Sequence, residues 1–423
     1  MIDPIGHSRS YALVVLGEGV AAVAAAREAA RRGRRVALLL PEEPAPNPTQ
    51  LSNFARTIRE CQAKLGLVPP PPPVDEPRID IFRGPLRFSR YRTVSVGGIE
   101  VRFRRAIVAT GSRPGPVALA GADAAGPLYP HKLDRLTAPP GRLAVIGSDG
   151  AACFWAQQLQ RLGSEVHLVA SGPRLLETSD ELAARIVVGQ LQAEGVAVYD
   201  GCEEVVLDRT GNRRGVLIRR DGQREKVLVD EVLVCTVPQP NLAQLSLETA
   251  AVSYGERGIG VDDWLRTSER SIFAAGGACG SEFASPEAEE ATGRLAARNA
   301  LAWVPRRLSR CVIPRCTPTD PPVVELGFRP GRAAATGPPG DRRCVEFRES
   351  VPNQSHAPRE GCVIVHVDHR GRLLGATVAA VGAEELAVPL MLLMQRRWPL
   401  RALGELTTCH SGRARLLAAL AQK

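Results

Sequence analysis

The stretch "YALVVLGEGVAAVAAAREAARRGRRVALLL" at residues 11–40 decides the fold of the first part of the chain. Its apolar ends predict two buried strands, and the alanine-rich run between them predicts a helix. Gly17, Gly19 and the small Ala22 stand where a strand-turn-helix unit needs small residues to approach a phosphate. The stretch therefore predicts a β-α-β unit of the dinucleotide-binding type.

A second stretch with the same outline begins with "LAVIGSDGAACF" at residues 143–154. Gly147 follows a predicted strand, and Ala152 is small enough for the third position of the pattern. The second position, where glycine lets the backbone approach the phosphates, is occupied by the charged Asp149. Gly150 offers an alternative turn that is shifted by one residue. We expect an eroded nucleotide site in this stretch.

Further segments occur in a specific order between and after these two units. They are "IDIFRGPLRF" (79–88), "AIVATGSRP" (106–114), "SIFAAGGACG" (271–280), "IPRCTPTDPPVVELGF" (313–328) and "LLGATVAAVGAEEL" (373–386). Together with the two units they span most of the chain. The order resembles the pyridine nucleotide-disulfide oxidoreductases, and most closely their mercuric reductase and dihydrolipoamide dehydrogenase branch.

The resemblance implies an α/β fold with two Rossmann-like dinucleotide-binding domains and a C-terminal α+β dimerisation domain. The FAD-type domain would comprise residues 1–118 and 236–306, the inserted NAD(P)-type domain residues 119–235, and the dimerisation domain residues 307–423. The resemblance also implies a reaction in which NAD(P)H reduces FAD and FAD reduces an active-site disulfide.

The cysteine pair that this reaction needs is missing from its expected place. In the family, a Cys-x4-Cys pair follows the second strand of the FAD domain, whereas residues 41–78 contain only Cys61. Cys311 and Cys316 have the matching spacing, but they fall in the expected entry strand of the dimerisation domain. Extended backbone holds residues so spaced too far apart for a disulfide, so we expect two unrelated thiols.

The FAD site is expected to be eroded. The family pattern assigns FAD to Gly17, Gly19, Ala22, Thr110, Gly111, Gly276 and Gly277. Leu40 ends the second strand where the family has a ribose-binding acid, and Glu42 and Glu43 could replace it only if the loop bends back. Gly277 stands in place of the Asp that contacts the ribityl-phosphate region. Because two carboxylates are missing, we expect FAD binding to be weakened or lost.

The NAD(P)H site departs further from the family pattern. Its expected residues are Gly147, Gly150 and Ala152. Phe154 stands where the family has a Glu near the nicotinamide, and Ala170 replaces the acid that binds the NAD ribose. Arg174 could suit the 2′-phosphate of NADP, but we do not expect NAD(P)H to bind to the damaged turn.

The family's acid–base histidine near the C-terminus has one weak candidate, His410 in "LTTCHSGRARLL". It lacks the adjoining prolines and the later glutamate that would orient it, so a polar residue near a helix start is the alternative reading. Cys409 stands alone, without a second thiol for a mercury-binding pair. No metal site is predicted.

The composition sets the remaining expectations. The 423 residues, 44% of them hydrophobic, allow two or three domains, and nothing resembles a signal peptide or a membrane span. The 10 cysteines are scattered, which favours reduced thiols and a cytoplasmic location. We interpret the net charge of +9 as arginines on solvated faces, so neither nucleic acid nor membrane is an expected partner. The resemblance implies a homodimer formed through the C-terminal domain.

Three hypotheses about function follow. The first is a catalytically degenerate homologue, because residues that chemistry needs are missing at several sites while residues that the fold needs remain. The second is an active FAD and NAD(P)H oxidoreductase with non-thiol chemistry. The third is a protein-interaction module with a basic surface. The sequence does not identify a substrate.

Overall fold

The computed structural model describes residues 9–42, 52–117, 119–327, 340–347, 361–405 and 414–422. The chain divides into two compact units. The first is Met1–Pro116 with Thr236–Cys311, and the second is Val117–Cys235 with Val312–Lys423. Within the described ranges, no helix has the length and apolar character that crossing a membrane requires. The finer division into three domains stays a prediction.

The first unit is built on a seven-stranded sheet. Its strands are β1 (Arg9–Leu16), β2 (Val36–Leu40), β3 (Ile79–Arg83), β4 (Leu86–Arg90), β5 (Thr93–Val96), β6 (Ile99–Val108) and β18 (Ile272–Ala274). The order is β3-β2-β1-β6-β5-β4, and β18 also pairs with β6. The pairs β1–β2, β2–β3, β1–β6 and β6–β18 are parallel, whereas β4–β5 and β5–β6 are antiparallel.

Helices and short strands complete the first unit. The helices are α1 (Val20–Arg31), α2 (Asn53–Lys64) and α6 (Pro286–Leu301), with 3-10 turns at Leu247–Ala250, Gly276–Cys279, Ser281–Phe283 and Leu308–Arg310. The short strands are β7 (Ser112–Pro114), β15 (Pro238–Pro240), β16 (Tyr254–Gly255) and β17 (Gly258–Ile259), which pair as β7–β15 and β16–β17.

The sheet of the first unit is buried on both faces, as a parallel sheet covered by crossover connections requires. Leu13 and Val15 of β1 pack with the alanines of α1 and α6. The alternate residues Val14 and Leu16 join a second cluster with the residues of β4 and β5. This alternation explains why the strand reads as a continuous apolar run.

The second unit contains another parallel sheet, in the order β10-β9-β8-β14. An antiparallel sheet β11-β12-β13 lies in the same unit. The strands are β8 (Arg142–Ile146), β9 (Glu165–Ser171), β10 (Ala197–Cys202), β11 (Glu204–Thr210), β12 (Arg213–Arg220), β13 (Gln223–Val229) and β14 (Glu231–Val234). The helices are α3 (Ala122–Ala125), α4 (Gly150–Arg161) and α5 (Glu181–Ala193), with a 3-10 turn at Pro130–Arg135.

The C-terminal part of the second unit is an antiparallel five-stranded sheet. Its strands are β19 (Arg315–Thr317), β20 (Val323–Gly327), β21 (Asp341–Glu346), β22 (Cys362–Val367) and β23 (Leu373–Ala379). They lie in the order β19-β20-β23-β22-β21. It is followed by α7 (Ala383–Arg396), a 3-10 turn at Leu400–Leu403 and α8 (Ala414–Gln422). The predicted fold class, α/β with two Rossmann-like sheets, is confirmed.

Candidate functional site

The start of α1 has the backbone of a dinucleotide-binding turn. Gly17 has φ +128°, and a Cβ at this position would lie 2.1 Å from the carbonyl oxygen of Ala109, so only glycine fits. Gly19 is the N-cap and supplies no side-chain acceptor for the first N–H groups of the helix. Ala22 is fully buried. The turn therefore presents backbone donors that need an acceptor from elsewhere.

Two further turns hold the other residues assigned to FAD. Thr110 Oγ1 donates to the carbonyl oxygen of Asn241 at 2.7 Å, which fixes the turn that follows β6. Gly276 has φ +64°. A Cβ on Gly277 would lie 2.9 Å from the Cβ and the backbone nitrogen of Ser112. A side chain at position 277, such as that of an Asp, would therefore collide with Ser112.

A carboxylate of the chain itself lies at the start of α1. Glu289 of α6 is only 7% exposed, and its Oε1 accepts a hydrogen bond from the Gly277 N–H at 3.4 Å. The backbone N–H groups of Val20 and Ala21, at the start of α1, also favour the charged form of this carboxylate. Burial raises the pKa of Glu289 to about 7, although these three N–H groups favour the charged form and oppose the rise.

Close packing of α6 against α1 sets the position of Glu289. A Cβ on Gly293 would lie 2.2 Å from the carbonyl oxygen of Ala21, so the two helices touch backbone to backbone. Glu289 precedes Gly293 by four residues and therefore lies on the same helix face. Thr292, fully buried, accepts a hydrogen bond from the Gly276 N–H at 3.0 Å.

The end of β2, where a ribose-binding acid was expected, is apolar and enclosed. Leu40 is buried and lines a cavity of about 100 Å³ together with Val23, Arg83, Glu18 and Pro69–Pro72. The proline run Pro69–Pro72 thus lies beside this strand end. Glu42 is exposed to solvent, and Glu43 lies outside the described residues.

The start of α4 carries its own carboxylate. Gly147 has φ +153°, and Asp149 is the N-cap of the helix, its Oδ1 accepting from the Ala152 N–H at 3.0 Å. Gly150 is the first helical residue. A Cβ on Gly150 would lie 2.4 Å from Thr317 Oγ1, because β19 packs against this helix start.

The other residues considered for NAD(P)H serve the packing of the second unit. Phe154 is fully buried in an edge-to-face contact with Trp155, and Ala170 is fully buried in β9. The Arg174 guanidinium donates to the carbonyl oxygens of Leu175, Leu176, Glu177 and Ser179. It is therefore engaged in closing its own loop, and the sequence-based suggestion of a 2′-phosphate partner is not supported by its contacts.

The described cysteines form no disulfide with one another. Cys61 of α2 is 5% exposed, and burial raises the pKa of its thiol. Cys311 donates to the carbonyl oxygen of Arg307, whereas Cys316 lies on β19 with its Sγ 3.9 Å from Glu384 Oε1. His410, the acid–base candidate, lies outside the described residues.

Sequence reasoning missed two features of this site, Glu289 and the proline run at Pro69–Pro72. A signal for the first was available: a glycine inside a predicted helix, Gly293, marks a close backbone approach, and the residue one turn earlier faces the same neighbour. The position of the proline run beside Leu40 depends on the path of the chain, and no feature of the neighbouring sequence predicts it.

The fold and the first helix start define the class of protein as one built on dinucleotide-binding α/β sheets. The family model described as pyridine nucleotide-disulphide oxidoreductase matches residues 11–294. The chain belongs to the pyridine nucleotide-disulphide oxidoreductase family. Members of this family use FAD and NAD(P)H.

Individual relatives agree with this assignment. The chain is 29% identical to a mercuric reductase of Bacillus cereus over 62% of the chain and 42% of that relative. It is 28% identical to a mercuric reductase of Acidithiobacillus ferrooxidans over 93% of the chain and 79% of the relative. It is 29% identical to a dihydrolipoyl dehydrogenase of Bacillus subtilis over 53% of the chain and 49% of the relative. The match to several of these relatives thus spans about half of their length.

Solved structures show the same fold. The HOCl-induced flavoprotein disulfide reductase RclA from Escherichia coli superposes with a TM-score of 0.79, covering 97% of this chain and 99% of RclA at 20% identity. A Cu(II) complex of RclA gives a TM-score of 0.77 at 21% identity, with 98% and 99% of the two chains covered. At this identity the likeness concerns the fold alone.

Proposed function

We propose that this chain is a catalytically degenerate member of its family, which keeps the scaffold and lacks thiol–disulfide reduction. The observation that carries the proposal is Cys61, the single cysteine of residues 41–78, where the family has a pair. Electron transfer to a disulfide needs two sulfurs that can bond and a thiolate that can exchange with substrate.

The surroundings of Cys61 support this proposal. The side chain is buried in α2 and burial raises the pKa of its thiol, so the thiolate is disfavoured at neutral pH. Every other described cysteine with a shifted pKa is shifted in the same direction by burial (Cys153, Cys202, Cys235, Cys279, Cys311 and Cys362). Reactive cysteines have the opposite shift, because they sit in electropositive and accessible surroundings.

The start of α4 supports the loss of NAD(P)H binding. A helix N-terminus attracts a pyrophosphate through open N–H groups and a favourable dipole. Here the Asp149 carboxyl group already accepts from the Ala152 N–H, so this donor is not open to a ligand phosphate. Thr317 lies where Gly150 would otherwise leave space for a ligand. Without a hydride donor, the family reaction has no source of electrons.

The remaining expectations are part of the same proposal. Family members are typically homodimers, and we extend this to the present chain. On α7, Val388 is 61% exposed and Leu392, one turn later, is 47% exposed, with Trp398 beyond the helix end 51% exposed. Such a stripe of apolar side chains suits a subunit contact. The cytoplasm remains the proposed location, with neither nucleic acid nor membrane as a partner.

A turnover assay tests the proposal. Purified protein is supplied with FAD, NADH or NADPH, and a disulfide probe or Hg(II), and nucleotide oxidation is followed. We expect no oxidation above the protein-free rate, and the same null result for Cys61→Ser. Nucleotide oxidation that depends on the disulfide or on Hg(II), and that Cys61→Ser abolishes, would contradict the proposal. Oxidation that needs only oxygen or a quinone would favour the alternative, an active oxidoreductase with non-thiol chemistry.

A further inference from the structure

The turn at the start of α1 has kept the geometry of a phosphate cradle. Gly17 is required by its close approach to Ala109, and Gly19 leaves the first N–H groups of α1 without a side-chain cap. The Gly277 N–H donates to an acceptor at this helix start, and the N–H groups of Val20 and Ala21 favour a negative charge at the same place. We call these three N–H groups the phosphate cradle. Convergent N–H groups at a helix N-terminus are the arrangement that binds a phosphate.

The same volume contains the carboxylate of Glu289. A Cβ placed on Gly19 would lie 3.5 Å from Glu289 Oε2, and one placed on Gly111 would lie 3.9 Å from Glu289 Oε1. The carboxylate therefore lies between the turn after β6 and the glycine turn of α1, and a bound pyrophosphate would lie at this glycine turn. A buried carboxylate and a phosphate oxygen cannot both accept from these donors, and their charges repel.

The space for the adenosine half of a dinucleotide is also restricted. Beside Leu40 the cavity has a volume of about 100 Å³, with Pro69–Pro72 among its walls. Pockets for small-molecule ligands have volumes of roughly 300–1,000 Å³. Leu40 itself offers no acceptor for ribose hydroxyl groups. The described residues at this site therefore do not fit FAD.

We infer that the carboxyl group of Glu289 occupies the phosphate cradle of α1 and excludes phosphate-bearing cofactors from it. The inference deepens the proposed function, on which it rests for the absence of flavin chemistry. A site that had simply been lost would no longer have the backbone donors. Here the donors of the cradle are present, and the carboxylate of Glu289 covers them. Removal of the carboxylate should then uncover an anion site that the wild-type protein hides.

The test uses three variants and one probe, inorganic pyrophosphate, with binding measured by titration calorimetry on the full chain. Glu289→Ala removes the carboxylate, and Glu289→Gln keeps its shape without the charge. Glu290→Ala is the matched control, because Glu290 is an exposed neighbour on the same helix that pairs with Arg294. We expect Glu289→Ala to bind the probe at least about tenfold more tightly than wild type. The gain in affinity should be smaller in Glu289→Gln, and Glu290→Ala should bind the probe no more tightly than wild type.

A second substitution locates the uncovered site. Gly19→Asp, added to Glu289→Ala, returns a carboxylate to the same helix start, much as Asp149 caps α4. We expect the gained affinity to be lost. Binding by wild type as tight as by Glu289→Ala, or no gain in either Glu289 variant, would overturn the inference. Neither result bears on the proposed function, whose failure would appear instead as NAD(P)H-driven disulfide reduction by wild type.

Discussion

Glu289 Oε1 accepts a hydrogen bond from the backbone N–H of Gly277 at 3.4 Å, across the turn where the family has an Asp. The acidic group at this place thus comes from α6 instead of from the turn. Because the Glu289 carboxylate is buried at the start of α1, it influences both the stability of the first unit and the ligands that the unit admits.

Protonation of Glu289 should make stability depend on pH. Its pKa is about 7 in the folded chain and near 4.5 in an unfolded one, so between these values the folded state holds a proton that the unfolded state releases. The contribution of Glu289 to the free energy of unfolding is therefore fully present below about pH 4.5. It decreases by at most about 3 kcal/mol as pH rises through about 7. Urea unfolding of wild type at about pH 5 and about pH 8 measures the loss.

Glu289→Gln is the control for this pH dependence, because the amide does not titrate. The wild-type loss in unfolding free energy between the two pH values should exceed that of the Gln variant. The three groups that face the carboxylate are backbone N–H groups, which do not titrate in this range. Equal losses in the two proteins would mean that Glu289 does not carry the raised pKa.

Restoring the family Asp at position 277 should fail. A Cβ there would lie 2.9 Å from the Cβ of Ser112, so Gly277→Asp should destabilise the protein by about 1–3 kcal/mol without creating FAD binding. Gly260→Ala is the control, since a Cβ at Gly260 meets nothing within 4 Å and should change stability by less than about 0.5 kcal/mol. An Asp variant as stable as wild type that binds FAD would refute this account of Gly277.

Restoring glycine at position 149 should also fail to create a nucleotide site. Asp149→Ala should cost about 1 kcal/mol through loss of the cap on the Ala152 N–H, and Asp149→Gly only a few tenths. NADPH affinity should stay unmeasurable in both, because Thr317 still packs against the helix start. Calorimetric titration with NADPH checks this, and tight binding by Asp149→Gly would show that the carboxylate alone closed the site.

A double-mutant cycle tests the packing of β19 on the start of α4. Gly150→Ala should destabilise by about 1–3 kcal/mol, because its Cβ would lie 2.4 Å from Thr317 Oγ1. Combining it with Thr317→Ala removes that oxygen, so the double variant should recover part of the loss. Purely additive free energies of unfolding would indicate that the two residues do not meet in solution.

The fold could be predicted from the sequence because its signals are local. Apolar runs such as residues 11–16 mark strands buried on both faces, and Gly17 marks the turn that closely approaches Ala109. The α/β class and the order of segments follow from these signals. The sequence allows two registers for the turn before α4, and in the structure Asp149 is the N-cap of this helix.

The candidate site was predicted less completely, since it depends on contacts between distant segments. The family pattern predicts that Leu40 and Gly277 stand in place of carboxylates, and this stays a prediction. Glu289 was not recognised, since its role depends on how α6 packs on α1 through Gly293. The proline run beside Leu40 likewise depends on the path of the chain. Composition and spacing do not carry such information.

The visible absorption spectrum of the purified wild-type protein, incubated with excess FAD and then freed of unbound flavin, tests the central claim most directly. If Glu289 occupies the phosphate cradle, the wild-type protein stays colourless. A wild-type protein that keeps stoichiometric flavin, bleached on addition of NADH or NADPH, would contradict both the occupation of the phosphate cradle by Glu289 and the catalytic degeneracy.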